Sequence, residues 1–175
     1  MTKKEKQLTL TSKLLLTLVA LEDILTVVSP YELRSRVLFG NRRSYENTLY
    51  SLHKKGWIKF VNSEKGKFLQ LTKKGQLETL LVKALLPVPQ KWDGKWRVIM
   101  FDIPEESKEK RNTLRWLLKK NNFFQLQASV YINPYPLNRE AVEYLQQTGL
   151  IAYIRILKIE EMDNDKELKK HFKLG

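Results

Sequence analysis

Apolar residues in the first half of the chain recur at helical spacing and then alternate, which predicts three helices followed by two strands. Leucines and a valine line one face of the first helix, which Ser12 is expected to cap. Gly56 is expected to stop the third helix after a pair of lysines. The predicted helices cover residues 13–25, 29–40 and 42–55, the strands cover 57–61 and 67–72, and a fourth helix begins at Lys73.

This order of elements predicts a winged helix-turn-helix in the first half of the chain. The stretch LLPVPQKWDGKW, after the fourth helix, holds two of the chain's six prolines and precedes a strand, so we place a domain boundary inside it. The expected domains are residues 1–88, a winged helix-turn-helix that binds DNA, and residues 89–175, a dimerisation domain with a short C-terminal helix.

The second half reads as strand, helix, two strands, helix and strand. WRVIMF is the first strand, FFQLQASVYINPY divides into two, and LIAYIRILKI is the last. The second helix is predicted between Asn138 and Gly149. This βαββαβ pattern predicts a ferredoxin-like domain, in which two helices cover one face of an antiparallel sheet, and the whole chain is expected to be α+β.

The third predicted helix has two distinct faces. At about 100° per residue, Tyr45, Leu49 and Leu52 share an apolar stripe that must face a core. The opposite stripe is rich in hydrogen-bond donors, which suit phosphates and base edges in a major groove. A solvated polar face is the plain alternative, but a basic hairpin follows directly and favours DNA. The residues predicted to contact double-stranded DNA are Arg42, Arg43, Asn47, Tyr50, Ser51, Lys54, Lys65 and Lys67.

The formal net charge of +13 supports a polyanionic partner. Residues 1–90 contain 16 of the 32 Lys and Arg residues but 7 of the 19 Asp and Glu residues, so the basic excess is concentrated in the predicted DNA-binding domain. Each phosphate that such residues neutralise releases counterions and adds affinity without reading sequence.

Several other chemistries find no support in the sequence. The absence of cysteine excludes thiol chemistry and thiolate zinc sites, and it fits a reducing compartment. No apolar run approaches the roughly 20 residues of a membrane helix, and no signal peptide is recognisable, so we expect a cytoplasmic protein without a membrane partner. His53 and His171 have no partner at ligand spacing and are interpreted as surface residues.

Asp102 is unusual because it ends a strand between two apolar residues, in WRVIMFDIPEE. One interpretation is structural: the carboxylate accepts hydrogen bonds from free amides of the following helix, a cap that stabilises by about 0.5–2 kcal/mol. Glu105 and Glu106, three and four residues further on, are either assisting carboxylates or ordinary acids of a first helical turn.

The stretches WDGKWRVIMFDIPEESKEKRNTLRWLL, FFQLQASVYINPY and LKKHFKL resemble the middle domain of PaaX-like transcriptional repressors, with WDGKWR, FDIP and LQASV the most specific pieces. That domain is itself similar to the small CRISPR-associated metal-dependent nuclease of spacer acquisition. PaaX-like repressors carry a further C-terminal domain and respond to an acyl-coenzyme A ligand, for which no residue here gives independent support. The nuclease normally lacks the winged helix.

The resemblance also implies a second interpretation of Asp102. In the nuclease family, an aspartate at the end of the first strand meets its twin from a symmetric dimer, and the two hold a divalent ion. Asp102 matches that position, which makes it the candidate metal ligand and catalytic residue if the chain is a nuclease. Magnesium takes oxygen ligands and can activate a bound water to attack a phosphodiester.

The leading expectation is a homodimeric, sequence-specific regulator of transcription, repressor-like, that binds double-stranded DNA and requires no cofactor. The alternative is a nuclease that depends on Mg²⁺, or a non-catalytic DNA scaffold of the CRISPR adaptation type. A third possibility is a small adaptor that uses the winged helix for protein contact. Pairing of the second domains would present two winged helices to half-sites of an inverted repeat.

Overall fold

Residues 8–22, 28–37, 41–64, 66–88 and 90–174 are described by the structure, a computed structural model. The chain divides into two units, unit 1 from Met1 to Lys83 and unit 2 from Ala84 to Gly175. Helices and antiparallel sheets make up both, so the predicted α+β class is confirmed. In the described ranges, no helix combines the length and the apolarity needed to cross a bilayer.

Unit 1 begins with helices and continues into a two-stranded antiparallel hairpin. Its elements are α1 (Leu10–Glu22), α2 (Pro30–Arg36), α3 (Arg42–Lys54), β1 (Ile58–Ser63), β2 (Gly66–Leu71) and α4 (Lys73–Ala84). The core of this unit draws buried residues from α1, α2, α3 and both strands, chiefly leucines such as Leu14, Leu18, Leu33, Leu52 and Leu69.

The start of α1 differs from the expectation. The helix begins at Leu10, and the hydroxyl of Thr9 accepts a hydrogen bond from the backbone N–H of Ser12 at 3.2 Å. Ser12 therefore lies inside the helix, and the prediction that it is the cap was wrong. A threonine three residues earlier satisfies the free amide equally well, and the apolar spacing did not distinguish the two.

The second helix is shorter than predicted. Ser29 caps it through a reciprocal pair of bonds, its hydroxyl accepting from the Glu32 N–H at 3.1 Å while the Glu32 carboxylate accepts from the Ser29 N–H at 2.9 Å. The helix ends at Arg36, because Val37 adopts an extended conformation with φ −104° and ψ 121°. The predicted end at Gly40 was therefore too late.

The third helix ends where Gly56 was predicted to stop it. Gly56 has φ +70°, a left-handed conformation that favours glycine. The Gly56 N–H donates to the carbonyl of His53 at 2.9 Å, and the Trp57 N–H donates to that of Leu52 at 3.0 Å. This pair of bonds is the Schellman arrangement, which turns the chain directly into β1.

Close packing holds α4 against the base of the hairpin. The Thr72 hydroxyl donates to the carbonyl of Gly56 at 2.6 Å and accepts from the N–H of Gly75 at 3.0 Å. A Cβ atom at Gly75 would lie 1.9 Å from the Trp57 carbonyl oxygen, so only glycine fits at this crossing.

Among its described residues, unit 2 contains a four-stranded antiparallel sheet and three α-helices. Its elements are β3 (Trp96–Phe101), α5 (Lys108–Lys120), β4 (Phe124–Gln127), β5 (Val130–Asn133), α6 (Arg139–Gln147), β6 (Ile154–Ile159) and α7 (Lys166–Phe172). The strand order is β4-β5-β3-β6. The predicted last strand was partly wrong, because residues Leu150–Tyr153 form a 3₁₀ turn and β6 begins at Ile154.

The two faces of this sheet are covered differently. On one face, Trp96, Val98 and Ile132 pack with Leu168 of α7. The side chains of successive strand residues point to opposite faces, so Ile99 and Phe101 face the other side. There the guanidinium of Arg115, from α5, lies 6.0 Å from the Phe101 ring centre.

Candidate nucleic-acid interface

The exposed face of α3 carries most of the residues predicted to contact DNA. Asn41 caps the helix, its side-chain oxygen accepting from the Ser44 N–H at 2.7 Å. Tyr45, Leu49 and Leu52 are buried, as predicted, and fix which side of the helix faces outward. On the outward side, the exposed side chains are those of Arg42, Arg43, Asn47, Tyr50 and Lys54. The side chain of Ser51 is half-buried.

A hydrogen bond between helices fixes the position of α3. The hydroxyl of Tyr45 donates to the backbone carbonyl of Pro30, the first residue of α2. Burial raises the pKa of Tyr45 to about 12, so the phenol keeps its proton and remains a donor at neutral pH. The outward face of α3 is therefore presented by a helix that is anchored both by apolar packing and by a polar contact.

The two arginines at the start of α3 differ in their bonding. The Arg42 Nε donates to the Glu46 carboxylate at 2.6 Å, and this bond raises the pKa of Arg42. Arg43 makes no ion pair with any residue that the structure describes. Arg43 is therefore the more available of the two for a phosphate or a base, whereas Arg42 must first release the Glu46 carboxylate.

Two tyrosines of unit 1 are unusually open to solvent. Tyr50 on α3 is 68% exposed and Tyr31 on α2 is 79% exposed. Neither ring contributes to the core, so both hydroxyl groups and ring edges are available to a partner. Tyrosine hydroxyls contact DNA phosphates, and apolar ring edges contact the methyl group of thymine. The sequence analysis singled out Tyr50 but not Tyr31.

The hairpin brings a lysine and an aromatic ring beside the end of α3. The Lys67 Nζ lies 4.2 Å from the ring centre of Phe60, its diagonal cross-strand neighbour, which is two residues from the register partner Asn62. Lys67 is exposed, as is Lys59 on β1. Lys65, which was predicted to contact DNA, lies outside the described residues.

His53 and Phe60 are candidates that sequence reasoning did not include. Their ring centres are 5.2 Å apart at an interplanar angle of 48°, which joins the last turn of α3 to β1. The alternation of β1 places Phe60 on the same side as the buried Ile58, so the sequence pattern assigns it to the core. The signal for His53 was its place one turn after Tyr50, near the exposed stripe.

In unit 2, Asp102 follows β3 directly and is exposed. Its backbone N–H donates to the Tyr153 carbonyl at 3.0 Å. The 3₁₀ turn that follows starts after Pro104, α5 starts after Ser107, and neither start receives a side-chain hydrogen bond. The interpretation of Asp102 as a helix cap was therefore wrong, because the turn separates its carboxylate from the amides of α5.

Asp102 lies in a surface cleft of about 370 Å³ at the C-terminal end of β3. The cleft is lined by Met100, Phe101, Asp102, Ser129, Val130, Ala152, Tyr153 and Arg155. Apolar side chains and one residue of each charge thus share this space. Asp102 is the acidic residue in the lining.

One chain does not provide the ligands that a divalent ion needs near Asp102. No group of three or more His, Asp or Glu side chains that could hold a metal occurs among the described residues. Glu105 is engaged elsewhere: Arg111 binds both of its carboxylate oxygens, which lowers the pKa of Glu105. A single carboxylate does not fit a magnesium site, which usually combines several oxygen ligands.

Residues 89–170 match the family model described as the PaaX protein central Cas2-like domain. The matched range starts three residues before the WDGKWR segment, runs through β6 and into α7, and contains FDIP and LQASV. The resemblance based on those motifs is confirmed by this match. No curated protein matches the chain.

Proposed function

We propose that this chain, whose residues 89–170 match the PaaX central Cas2-like domain and support a PaaX-like protein, is a sequence-specific regulator of transcription, repressor-like, that binds double-stranded DNA as a homodimer. The PaaX family supports transcriptional regulation as the general role. The DNA-binding part of the proposal rests on unit 1, which lies outside the matched range.

The observation that carries the proposal is the outward face of α3. It presents Arg43, Asn47, Tyr50 and Lys54 at positions spaced by three or four residues, so they form one stripe along the helix. These side chains donate hydrogen bonds and are exposed, while the opposite stripe is buried. A helix of this kind suits insertion into a major groove, with Asn47 and Arg43 reading base edges.

Unit 1 is, on this proposal, a winged helix-turn-helix. Three helices precede a hairpin, and Val28, in the segment before α2, pairs with Leu69 of β2 through a backbone bond of 2.8 Å. Through that bridge, Val28 pairs with the hairpin as a third strand would, over a single residue. The hairpin then serves as the wing, with Lys67 contacting the DNA backbone.

Unit 2 is, on this proposal, a ferredoxin-like domain that pairs two copies. The order β4-β5-β3-β6 and the wholly antiparallel pairing support that arrangement. Met100 is 37% exposed and Leu157 is 41% exposed, and the register places both on the sheet face that α7 covers only in part. Exposed apolar side chains on one sheet face favour burial against a second copy.

Gel-shift titration with duplex DNA from upstream of the chain's own reading frame tests the DNA-binding role. Arg43→Ala and Lys54→Ala are expected to weaken binding about tenfold each, because each removes a charged contact to DNA. Arg139→Ala, an exposed arginine of unit 2, is the charge-matched control and should bind like the parent chain. Unchanged affinity in both α3 variants would refute the assignment of α3.

One observation favours a second candidate function, a nuclease that depends on Mg²⁺ or a non-catalytic DNA scaffold. The Asp102 carboxylate is exposed in a cleft and takes no part in capping the fold, so it is free for another role. A second copy would have to provide the further carboxylate. Cleavage of labelled RNA or duplex DNA that needs Mg²⁺ and is lost in Asp102→Asn would establish this function in place of regulation.

A further inference from the structure

His53 is held at the junction between α3 and the hairpin. It lies in the last turn of α3, is exposed, and contacts the ring of Phe60 with 5.2 Å between ring centres. The same Phe60 ring carries the Lys67 Nζ at 4.2 Å from its centre. One aromatic side chain thus fixes the positions of an imidazole and an ammonium group on neighbouring parts of the proposed DNA-binding surface.

The charged groups around His53 are mainly cationic. Lys54 follows it on α3, and Lys67 of β2 shares its Phe60 contact. On α4, Glu78 interacts with Lys55 and Lys74, and burial raises the pKa of Glu78. At the other end of α3, Glu46 is occupied by Arg42.

We propose that His53 contacts a DNA phosphate in its protonated form, so that DNA binding takes up a proton at this residue. The proposal rests on the function proposed for unit 1 and names a further binding residue within it. Histidine is the side chain that ordinarily changes charge between pH 5 and 8, and protonated imidazole donates from both nitrogens. Phosphates at the end of a recognition helix are the acceptors that such a donor meets.

The direction of the pH effect follows from the charge of the DNA backbone. In the proposed complex, phosphates beside the ring favour its charged form. The complex therefore holds more protons than the free chain, and by linkage the affinity rises as the pH falls.

The chain contains two histidines, which makes a sharp comparison possible. His171 lies in α7 of unit 2 and also contacts an aromatic ring, that of Phe124, with 4.8 Å between ring centres. His53→Gln and His171→Gln thus remove matched residues, one from each unit. Glutamine keeps a donor and a similar size but does not change charge with pH.

The experiment is fluorescence anisotropy with a labelled duplex from the upstream region, at constant ionic strength, between pH 8 and pH 5.5. The parent chain and His171→Gln are expected to bind about five- to tenfold more tightly at the lower pH, as for one added phosphate contact. His53→Gln should show little change over this range. In the parent chain, the slope of log affinity against log salt should be steeper by about one at pH 5.5 than at pH 8. In the His53 variants, this slope should not change with pH.

His53→Lys keeps the test decisive if the glutamine variant folds poorly, because the lysine carries its charge at both pH values. It is expected to bind at pH 8 about as tightly as the parent does at pH 5.5. A pH dependence that persists in His53→Gln or His53→Lys would overturn the inference about His53. Absence of binding to every duplex at low salt and at both pH values would instead refute the function proposed for unit 1.

Discussion

The hydroxyl of Tyr45 on α3 donates a hydrogen bond to the backbone carbonyl of Pro30 at the start of α2. The bond ties the proposed recognition helix to the helix before it, and the ring of Tyr45 is 4% exposed. A polar contact at this place sets the angle at which α3 presents its outer stripe. Apolar packing alone leaves that angle less defined, because it has little directional preference.

Removal of this hydrogen bond should loosen unit 1. We expect Tyr45→Phe to lower the free energy of unfolding by about 1 kcal/mol, because the Pro30 carbonyl loses a donor while the ring still packs. Urea unfolding followed by circular dichroism measures the change. Tyr50→Phe, which alters an exposed tyrosine on the same helix, is the control and should leave stability within about 0.5 kcal/mol of the parent. Equal losses in both variants would contradict the role of this bond.

The same residue predicts a change at high pH. The pKa of Tyr45 is raised by burial to about 12 in the folded chain, above its ordinary value of 10.0. Its contribution to stability is therefore complete below pH 10 and is lost as the pH rises towards 12. Between pH 9.5 and 11.5, the midpoint of urea unfolding should fall less in Tyr45→Phe than in the parent chain. A parallel fall in both proteins would show that other groups govern alkaline unfolding.

Because Gly75 packs closely against the backbone of Trp57, we expect that this position accepts no side chain. In Gly75→Ala, the new Cβ would lie 1.9 Å from the Trp57 carbonyl oxygen, so the backbone of α4 or of the hairpin base has to move. We expect a loss of at least about 2 kcal/mol in the free energy of unfolding. Gln76→Ala, at the next and exposed position of α4, should change stability by less than about 0.5 kcal/mol. Differential scanning calorimetry compares the two, and a tolerated Gly75→Ala would show that this crossing is loose.

In unit 2, the WDGKWR segment is organised by one carboxylate. Arg97 donates to both oxygens of Asp93, at 3.1 and 2.7 Å, and the Lys95 N–H donates to one of them at 3.1 Å. The guanidinium holds the pKa of Asp93 well below its usual range. The stabilisation from this group is therefore present above the ordinary value of 3.8 and is lost as the pH falls through the lowered pKa.

Asp93→Asn is accordingly expected to lower the unfolding temperature at pH 7 and to have a smaller effect near pH 2. The matched control is Asp163→Asn, an exposed aspartate of the same unit. It should leave the unfolding temperature nearly unchanged at both values. Thermal unfolding at the two pH values tests this prediction. A difference in unfolding temperature between the parent chain and Asp93→Asn that stays constant down to pH 2 would contradict the role of the Asp93 carboxylate.

Adjacent residues of β6 distinguish the two sides of the sheet in the proposed dimer. Leu157 pairs with Val98, on the face that α7 partly covers, and Ile156 pairs with Ile99, on the face with α5. Their exposures are similar, 41% and 47%. Leu157→Glu should therefore convert a dimer to monomers in sedimentation velocity, whereas Ile156→Glu should not. Dissociation by Ile156→Glu alone would place the interface on the other face, and a monomeric parent chain would remove the dimer from the proposed function.

Local patterns in the sequence were sufficient for the element order and for the inner side of α3. The spacing of Tyr45, Leu49 and Leu52 determined which face is buried, and Gly56 determined where the helix ends. Both follow from contacts within a few residues, so periodicity and turn chemistry predict them. The resemblance to the PaaX central domain likewise depended on short motifs that remain contiguous in the chain.

The boundaries that were wrong depended on choices between nearby alternatives. Thr9 and Ser12 are both able to accept an amide hydrogen bond, and the side chain that lies at the first free turn is the one that caps α1. Asp102 failed as a cap because a 3₁₀ turn intervenes before α5, and this turn depends on how the chain packs after β3. Sequence spacing alone did not show whether α5 begins directly after Asp102 or only after an intervening turn.

The sequence by itself determined the succession of helices and strands, the basic excess of the first half and the stripe of donors on α3, because these are properties of near neighbours along the chain. Only the tertiary structure decided that Phe60 contacts both His53 and Lys67, that the Tyr45 hydroxyl bonds to Pro30, and that Asp102 lines a cleft. Each of these joins residues from different elements. Such contacts arise from packing in three dimensions, where distant segments meet under the demand to bury apolar surface and to pair buried polar groups.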